Sequence, residues 1–163
     1  MAEPREFISL RIAVLTVSDT RSLADDKSGQ VLQDRIAAAG HAIADRQIVK
    51  DDVAAIRRVV KAWGKRSDID VIISTGGTGL TGRDVTVEAM RPLFEKEIEG
   101  FSTLFHMVSF QKIGTSTVQS RATAGVMKGK YVFCLPGSPG ACRDAWDDLL
   151  QFQLAYRHPP CNF

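Results

Sequence analysis

The chain has 163 residues, with 21 Lys or Arg against 19 Asp or Glu, for a net charge of +2. That length supports one compact domain with a substantial core, so 1–163 is read as a single domain with a flexible N-terminal segment at 1–9. Balanced charge without a basic, aromatic-interleaved stripe disfavours nucleic acid as a partner. The first twenty residues carry Glu3, Glu6 and Asp19 and no long apolar run, so no signal peptide or membrane span is visible and the expected location is cytoplasmic.

Taken in chain order, RIAVLTVS from Arg11 to Ser18 is apolar on both faces, as a strand inside a parallel sheet should be. A helix over about Gln30 to Ala39 follows the polar stretch SLADDKSG, with Val31, Leu32 and Ile36 on one face and Gly40 as its cap. His41 to Val49 reads as a second strand. Asp51 or Asp52 is placed to cap a helix running to about Arg66, in which Ile56, Val59, Val60 and Trp63 recur at helical spacing. VIIST at 71–75 is a third strand. A short helix through Met90 meets Pro92, and Phe101, Leu104, Phe105 and Val108 define an amphipathic helix over about 100–110. Ser120, Arg121 and Ala122 lie in a polar stretch, Tyr131 to Leu135 is another strand, and Ala141 to Phe152 is a final helix. This alternation gives an α/β class: a three-layer, doubly wound, mostly parallel sheet with helices on both faces.

Cysteines and histidines carry little chemistry at this level. Cys134, Cys142 and Cys161 are too few for a disulfide framework and match no zinc spacing, and His41, His106 and His158 are dispersed. Cys134 in YVFCL reads as a small core residue. No Cys-His or Ser-His constellation is evident, which takes support from covalent catalysis.

The informative feature is VIISTGGTGLTGRDVT at 71–86, a buried-type strand that runs into a glycine-rich loop and then a carboxylate, Asp84. Without Cβ atoms at Gly76, Gly77 and Gly79, backbone amides can approach an anion at the carboxyl end of the strand. Two more strand ends carry loops of this kind, SDTR at 18–21 and PGSP at 136–139, and in an open α/β sheet all three should line one crevice. The amides after Ser138, at a helix start, favour phosphate. Each loop also has a plain structural reading: a Gly-rich turn, a turn closed by an Asx bond from Asp19, and an ordinary strand-to-helix turn.

Neither standard phosphate motif fits the loop. Gly77 to Gly82 satisfies G-x-G-x-x-G, but it follows the third strand, and Arg83 to Thr86 intervene before the helix. Arg83-Asp84 stands where a Walker loop has Lys followed by Ser or Thr. A carboxylate beside a phosphate loop requires a cation, and Mg²⁺ joins carboxylates to phosphate oxygens, so a Mg-nucleotide is the expected ligand. The structural alternatives are a helix cap for Asp51 or Asp52 and a solvated charge for Asp84.

The ordered set TVSDTR at 16–21, STGGTGLTGRDVT at 74–86, GTSTVQSRA at 114–122, LPGSPGACRDAW at 135–146 and PPCNF at 159–163 resembles the MoaB/MogA family of molybdenum cofactor biosynthesis proteins. GTSTVQSRA and the terminal CNF resemble the MoaB branch more. The resemblance covers essentially the whole chain. It implies a molybdopterin-binding fold and Mg-dependent transfer of AMP from ATP to the terminal phosphate of molybdopterin, in a homotrimer or hexamer. It makes Asp51 and Asp84 the essential carboxylates, holding Mg²⁺ through the phosphates. Ser18, Asp19, Gly76, Gly77, Thr78, Gly79, Gly137 and Ser138 become the nucleotide and phosphate pocket, and Ser120 and Arg121 the molybdopterin side. Lys50 stands where active members commonly have proline, and its ammonium is placed to pair with Asp51 or Asp52. The alternative implied reading is a catalytically silent protein that binds molybdopterin or nucleotide and supports cofactor synthesis.

Overall fold

The alternation of buried side chains between the two faces of the sheet decides the layers. In the computed structural model, which describes residues 6–155 and 163, β1 (Arg11–Val17) buries every residue after Arg11. Ile12 and Val14 point to one core and Ala13 and Leu15 to another, because successive strand side chains face opposite sides of a sheet. The first core is covered by α1 (Lys27–Ala38) through Leu32 and Ile36. The second is covered by α2 (Val53–Gly64) through Ile56, Val60 and Trp63.

The other elements are β2 (Ala42–Val49), β3 (Val71–Thr75), α3 (Thr86–Met90), β4 (Lys96–Glu97), α4 (Glu99–Ile113), β5 (Thr123–Met127), β6 (Lys130–Leu135), α5 (Pro139–Ala145) and α6 (Gln151–Gln153). The sheet order is β2-β1-β3-β6-β5-β4. β1 is parallel to β2 and β3, and β3 to β6, whereas β5 runs antiparallel to both β6 and β4. α4 and α5 join α1 on the first face through Phe101, Phe105, Cys142 and Ala145, and α3 joins α2 on the second. The expected α/β architecture with helices on both faces is therefore the one observed.

Several boundaries differ from the sequence reading, each for a local reason. α1 begins at Lys27, three residues before Gln30, because Asp26 caps it by accepting from the Gly29 amide at 3.0 Å. Of the two acids offered as the cap of α2, Asp52 is the one used, accepting from Ala55 N at 2.8 Å, as the sequence reading allowed. The last helix starts at Pro139, two residues before Ala141, and continues through a π segment at Trp146–Leu150. The polar stretch after Arg121 hides β5, whose small residues Thr123, Ala124 and Gly125 are buried. α4 extends to Ile113, and its buried face is Phe101, Phe105 and Ser109, while Leu104, expected inside, is 47% exposed. Of the N-terminal segment, residues 1–5 lie outside the described residues, and Phe7 sits 5.3 Å from the His41 ring, centroid to centroid. His158 and Cys161 also lie outside them. Among the described residues no helix is long and apolar enough to cross a membrane.

Candidate functional site

Parallel β1, β3 and β6 end side by side, so their loops meet at one edge of the sheet. Gly76 bonds through its amide to Leu135 O at 3.0 Å, tying the β3 loop to the end of β6. Its φ of +100° and its contact with the Val17 carbonyl leave no room for a side chain. Gly137 closes the third side: a Cβ there would lie 3.3 Å from Gly76 Cα. The three loops named from sequence thus converge.

The glycine loop is held from below and leaves amides free above. Thr86 Oγ1 donates to Gly76 O at 2.8 Å, and Thr86 N to Gly77 O at 3.0 Å. Among the described residues the amides of Gly77, Thr78 and Gly79 donate to no protein acceptor. Unspent backbone donors at a glycine-rich strand end suit an anion. Gly137 O is already taken, accepting from Ser28 Oγ at 2.6 Å and Arg21 at 3.2 Å. Ser138 Oγ accepts from Ala141 N at 3.1 Å and so caps α5.

Beside these amides stands a group of carboxylates. Asp19 does not close its own turn, the plain structural alternative for this loop; Ser18 Oγ does that, accepting from Thr20 N and Arg21 N at 3.3 and 3.2 Å. Asp19 Oδ1 instead crosses to accept from Asp51 N at 3.0 Å, and its Oδ2 lies 3.4 Å from the Arg83 guanidinium. Burial, followed by the charges of Asp19 and Asp84, holds the Asp51 carboxyl above the usual carboxylate range. Asp84 Oδ2 accepts from Thr81 N at 3.0 Å and from Thr81 Oγ1 at 2.8 Å, which folds the 81–84 turn over Gly79. No ion pair joins Lys50 to Asp51 or Asp52 among the described residues.

Like charges crowded beside free amides fit a cation shared with a bound anion. Among the described residues no group of three or more His, Cys, Asp or Glu is arranged to hold a metal unaided. Asp51 and Asp84 therefore suit Mg²⁺ that brings phosphate oxygens and water with it, the usual coordination of that ion. A protein nucleophile is not on offer from the described cysteines. Burial pushes the Cys134 thiol up to about 12 and the Cys142 thiol up to about 11.

Ser120 and Arg121 approach from the far side of the glycine loop. Ser120 O lies 2.9 Å from His106 Nε2 on α4, and Ser120 Oγ accepts from Ala122 N at 3.3 Å. Arg121 N donates to Thr78 O at 2.9 Å, and its guanidinium reaches Gly79 O, Asp84 O and the Glu88 carboxylate. A shallow pocket of about 350 Å³ opens here, between Leu80, Asp84, Val85, Glu88 and Arg121. Sequence reasoning gave no role to Arg83, Thr86, Glu88 or His106. Glu88 lies four residues after Asp84, a spacing that would have placed both acids on one side had α3 been extended back to the loop.

A model of the probable molybdopterin binding domain matches residues 13–156 of the chain. Molybdenum cofactor biosynthesis protein B of Escherichia coli strain K12 is 51% identical over 158 residues, covering 97% of this chain and 93% of the relative. A crystal structure of a molybdenum cofactor biosynthesis protein B superposes with a TM-score of 0.87 at 44% identity, covering 94% of each chain. The tungsten cofactor synthesizing protein MoaB from Pyrococcus furiosus gives a TM-score of 0.74 at 34% identity, covering 86% of this chain and 90% of that one. With residues 13–156 of the chain matched by the domain and the fold shared at this level, the chain belongs to the MoaB/MogA family of molybdenum cofactor biosynthesis proteins, on its MoaB side.

Proposed function

We propose that the protein acts in molybdenum cofactor biosynthesis by transferring AMP from Mg-ATP to the terminal phosphate of molybdopterin. The observation that carries this reading is the adjacency of free amides at Gly77, Thr78 and Gly79 to the crowded carboxylates Asp19, Asp51 and Asp84. One half of the site takes an anion and the other half takes a cation, and a Mg-nucleotide supplies both.

In this reading an oxygen of the molybdopterin phosphate attacks the α-phosphorus of ATP. The bond from the α-phosphorus to the bridging oxygen breaks, and pyrophosphate leaves with that electron pair. Such a transfer needs alignment and charge neutralisation rather than a protein nucleophile. Asp51 and Asp84 would hold Mg²⁺ through the phosphates, and the ion would supply the charge neutralisation that lets nucleotide and carboxylates approach. The 77–79 amides orient phosphate oxygens. Ser18 and Asp19 shape the β1 side, Gly137 and Ser138 the β6 side, and Ser120 borders the molybdopterin side.

Assembly belongs to the same proposal. α4 leaves Leu104, Met107, Phe110 and Ile113 exposed, and two concavities of about 440 Å³ each lie along it. An apolar helix face of this extent suits a neighbouring copy, in a homotrimer or hexamer.

The test is incubation of the purified protein with molybdopterin, ATP and Mg²⁺, following pyrophosphate and adenylyl-molybdopterin together. Stoichiometric formation of both is expected. Tight binding of molybdopterin without either product would replace the enzyme reading with that of a silent binding protein.

A further inference from the structure

The segment from Gly76 to Met90 carries Asp84 but pairs with no strand, so something other than the sheet must hold it in place. Its two ends are accounted for. Thr86 ties the start to Gly76 and Gly77, and Arg57 of α2 holds the finish, donating to Ala89 O at 3.0 Å and Glu88 O at 3.1 Å. In the middle, Asp84 closes the 81–84 turn on Thr81 and Arg83 reaches across to Asp19, while the tie between Gly79 and Asp84 is made by Arg121. Arg121 donates through Nε to Gly79 O at 2.8 Å and through Nη2 to Asp84 O at 3.1 Å, and its remaining face pairs with the Glu88 carboxylate.

We propose that Arg121 is a positioning residue, which sets the place of the Asp84 carboxylate by clamping both ends of the 79–84 turn, rather than a ligand for the molybdopterin phosphate. A guanidinium that spends its fork on two carbonyls and a carboxylate has little left for a substrate anion. Carbonyl acceptors suit a guanidinium because it is always protonated and cannot accept. Glu88 anchors the clamp from α3, and the Arg121 bond holds its carboxyl below the usual range. The backbone carrying the clamp is itself fixed on both sides, by Arg121 N on Thr78 O and by His106 beside Ser120 O.

The kinetic part of this proposal rests on the adenylyl-transfer reading, whereas the structural part does not. Two variants, Arg121→Ala and Glu88→Gln, are compared with the parent, after thermal melts show that each is folded. Amide hydrogen exchange across 79–86 should accelerate by at least about tenfold in Arg121→Ala and less in Glu88→Gln, as expected for local opening of a released turn. At saturating molybdopterin and ATP, kcat should fall on the order of a hundredfold in Arg121→Ala with KM for molybdopterin little changed, as for a displaced catalytic group. Added guanidinium ion should restore part of that kcat. A rise in KM or Kd for molybdopterin, with exchange and kcat unchanged, would overturn the proposal and make Arg121 a substrate ligand. Unchanged values throughout would reduce it to a surface ion pair. If the parent itself shows no turnover, the adenylyl-transfer reading fails, and the exchange measurement still decides the clamp.

Discussion

Asp84 occupies the space that a side chain on Gly79 would need: a Cβ at Gly79 would stand 2.7 Å from Asp84 Oδ2. Gly79→Ala should therefore push the carboxylate out of place without removing it. Asp84→Asn removes the charge but keeps an oxygen for Thr81, so the turn should persist. Both variants are expected to lose on the order of a hundredfold in adenylyl transfer, the scale on which positioned electrostatic groups act. Steady-state pyrophosphate release measures the loss, and turnover of either variant at the parental rate under saturating Mg²⁺ would contradict it.

Arg83 spans the crevice from the glycine loop to Asp19 while remaining 80% exposed, so its charge can be deleted with little effect on packing. The Asp51 carboxyl is held up by burial, Asp19 and Asp84, and Arg83 opposes that rise. In Arg83→Ala the Asp51 carboxyl should titrate at still higher pH than in the parent. Carboxyl NMR of the ligand-free protein reads the change directly, and a downward move would show that Arg83 does not act on Asp51 through its charge.

His41 gives a pH dependence of stability whose sign follows from its environment. It is 6% exposed, its Nδ1 accepts from Leu10 N at 3.0 Å, and burial holds its pKa below 6.5. The unfolded chain takes up the proton near 6.5, and the folded chain does so only at lower pH. The contribution is therefore complete above 6.5 and is lost as pH falls from there towards the folded-state value. Urea unfolding of the parent should show stability dropping across this window. His41→Gln should flatten that part of the slope, and equal slopes in the two proteins would remove His41 as its source.

The exposed α4 residues predict assembly. Light scattering at micromolar concentration should give at least three times 17.9 kDa, and Met107→Glu with Phe110→Glu should reduce the mass towards a single chain. A parental mass near 17.9 kDa would mean that this face stays in solvent.

How much of this was legible in the sequence depended on where the determining contacts lie. β1 and β3 were readable as continuous apolar runs and α2 from its helical periodicity, and their ends are punctuated locally by Asp52, Ser18 and Gly76. α4 was located, yet its face was misjudged, since Phe101, Leu104, Phe105 and Val108 form one apolar stripe and only packing on Phe133 and its neighbours selects Phe101 and Phe105. β5 escaped because Thr123, Ala124 and Gly125 lack a strong strand signal; Gly125 is needed where the Phe94 ring crosses it. In the site, the three loops could be named from the order of elements. The crossing of Asp19 to Asp51, and of Arg121 to Gly79 and Asp84, could not, because each joins residues more than thirty positions apart.

The reversal of β5 separates the molecule into two working ends. The chain enters β5 from the crevice at Arg121 and turns back at Lys128 and Gly129, both at positive φ, on the opposite rim beside Gly64 of α2. Among the described residues no hydrogen bond joins Lys128 or Gly129 to Asp51, Asp84 or the 77–79 amides. A fluorophore, affinity handle or short peptide spliced between Lys128 and Gly129 would report on the protein from the pole remote from its chemistry, which makes this hairpin the natural attachment point for single-molecule or pull-down work.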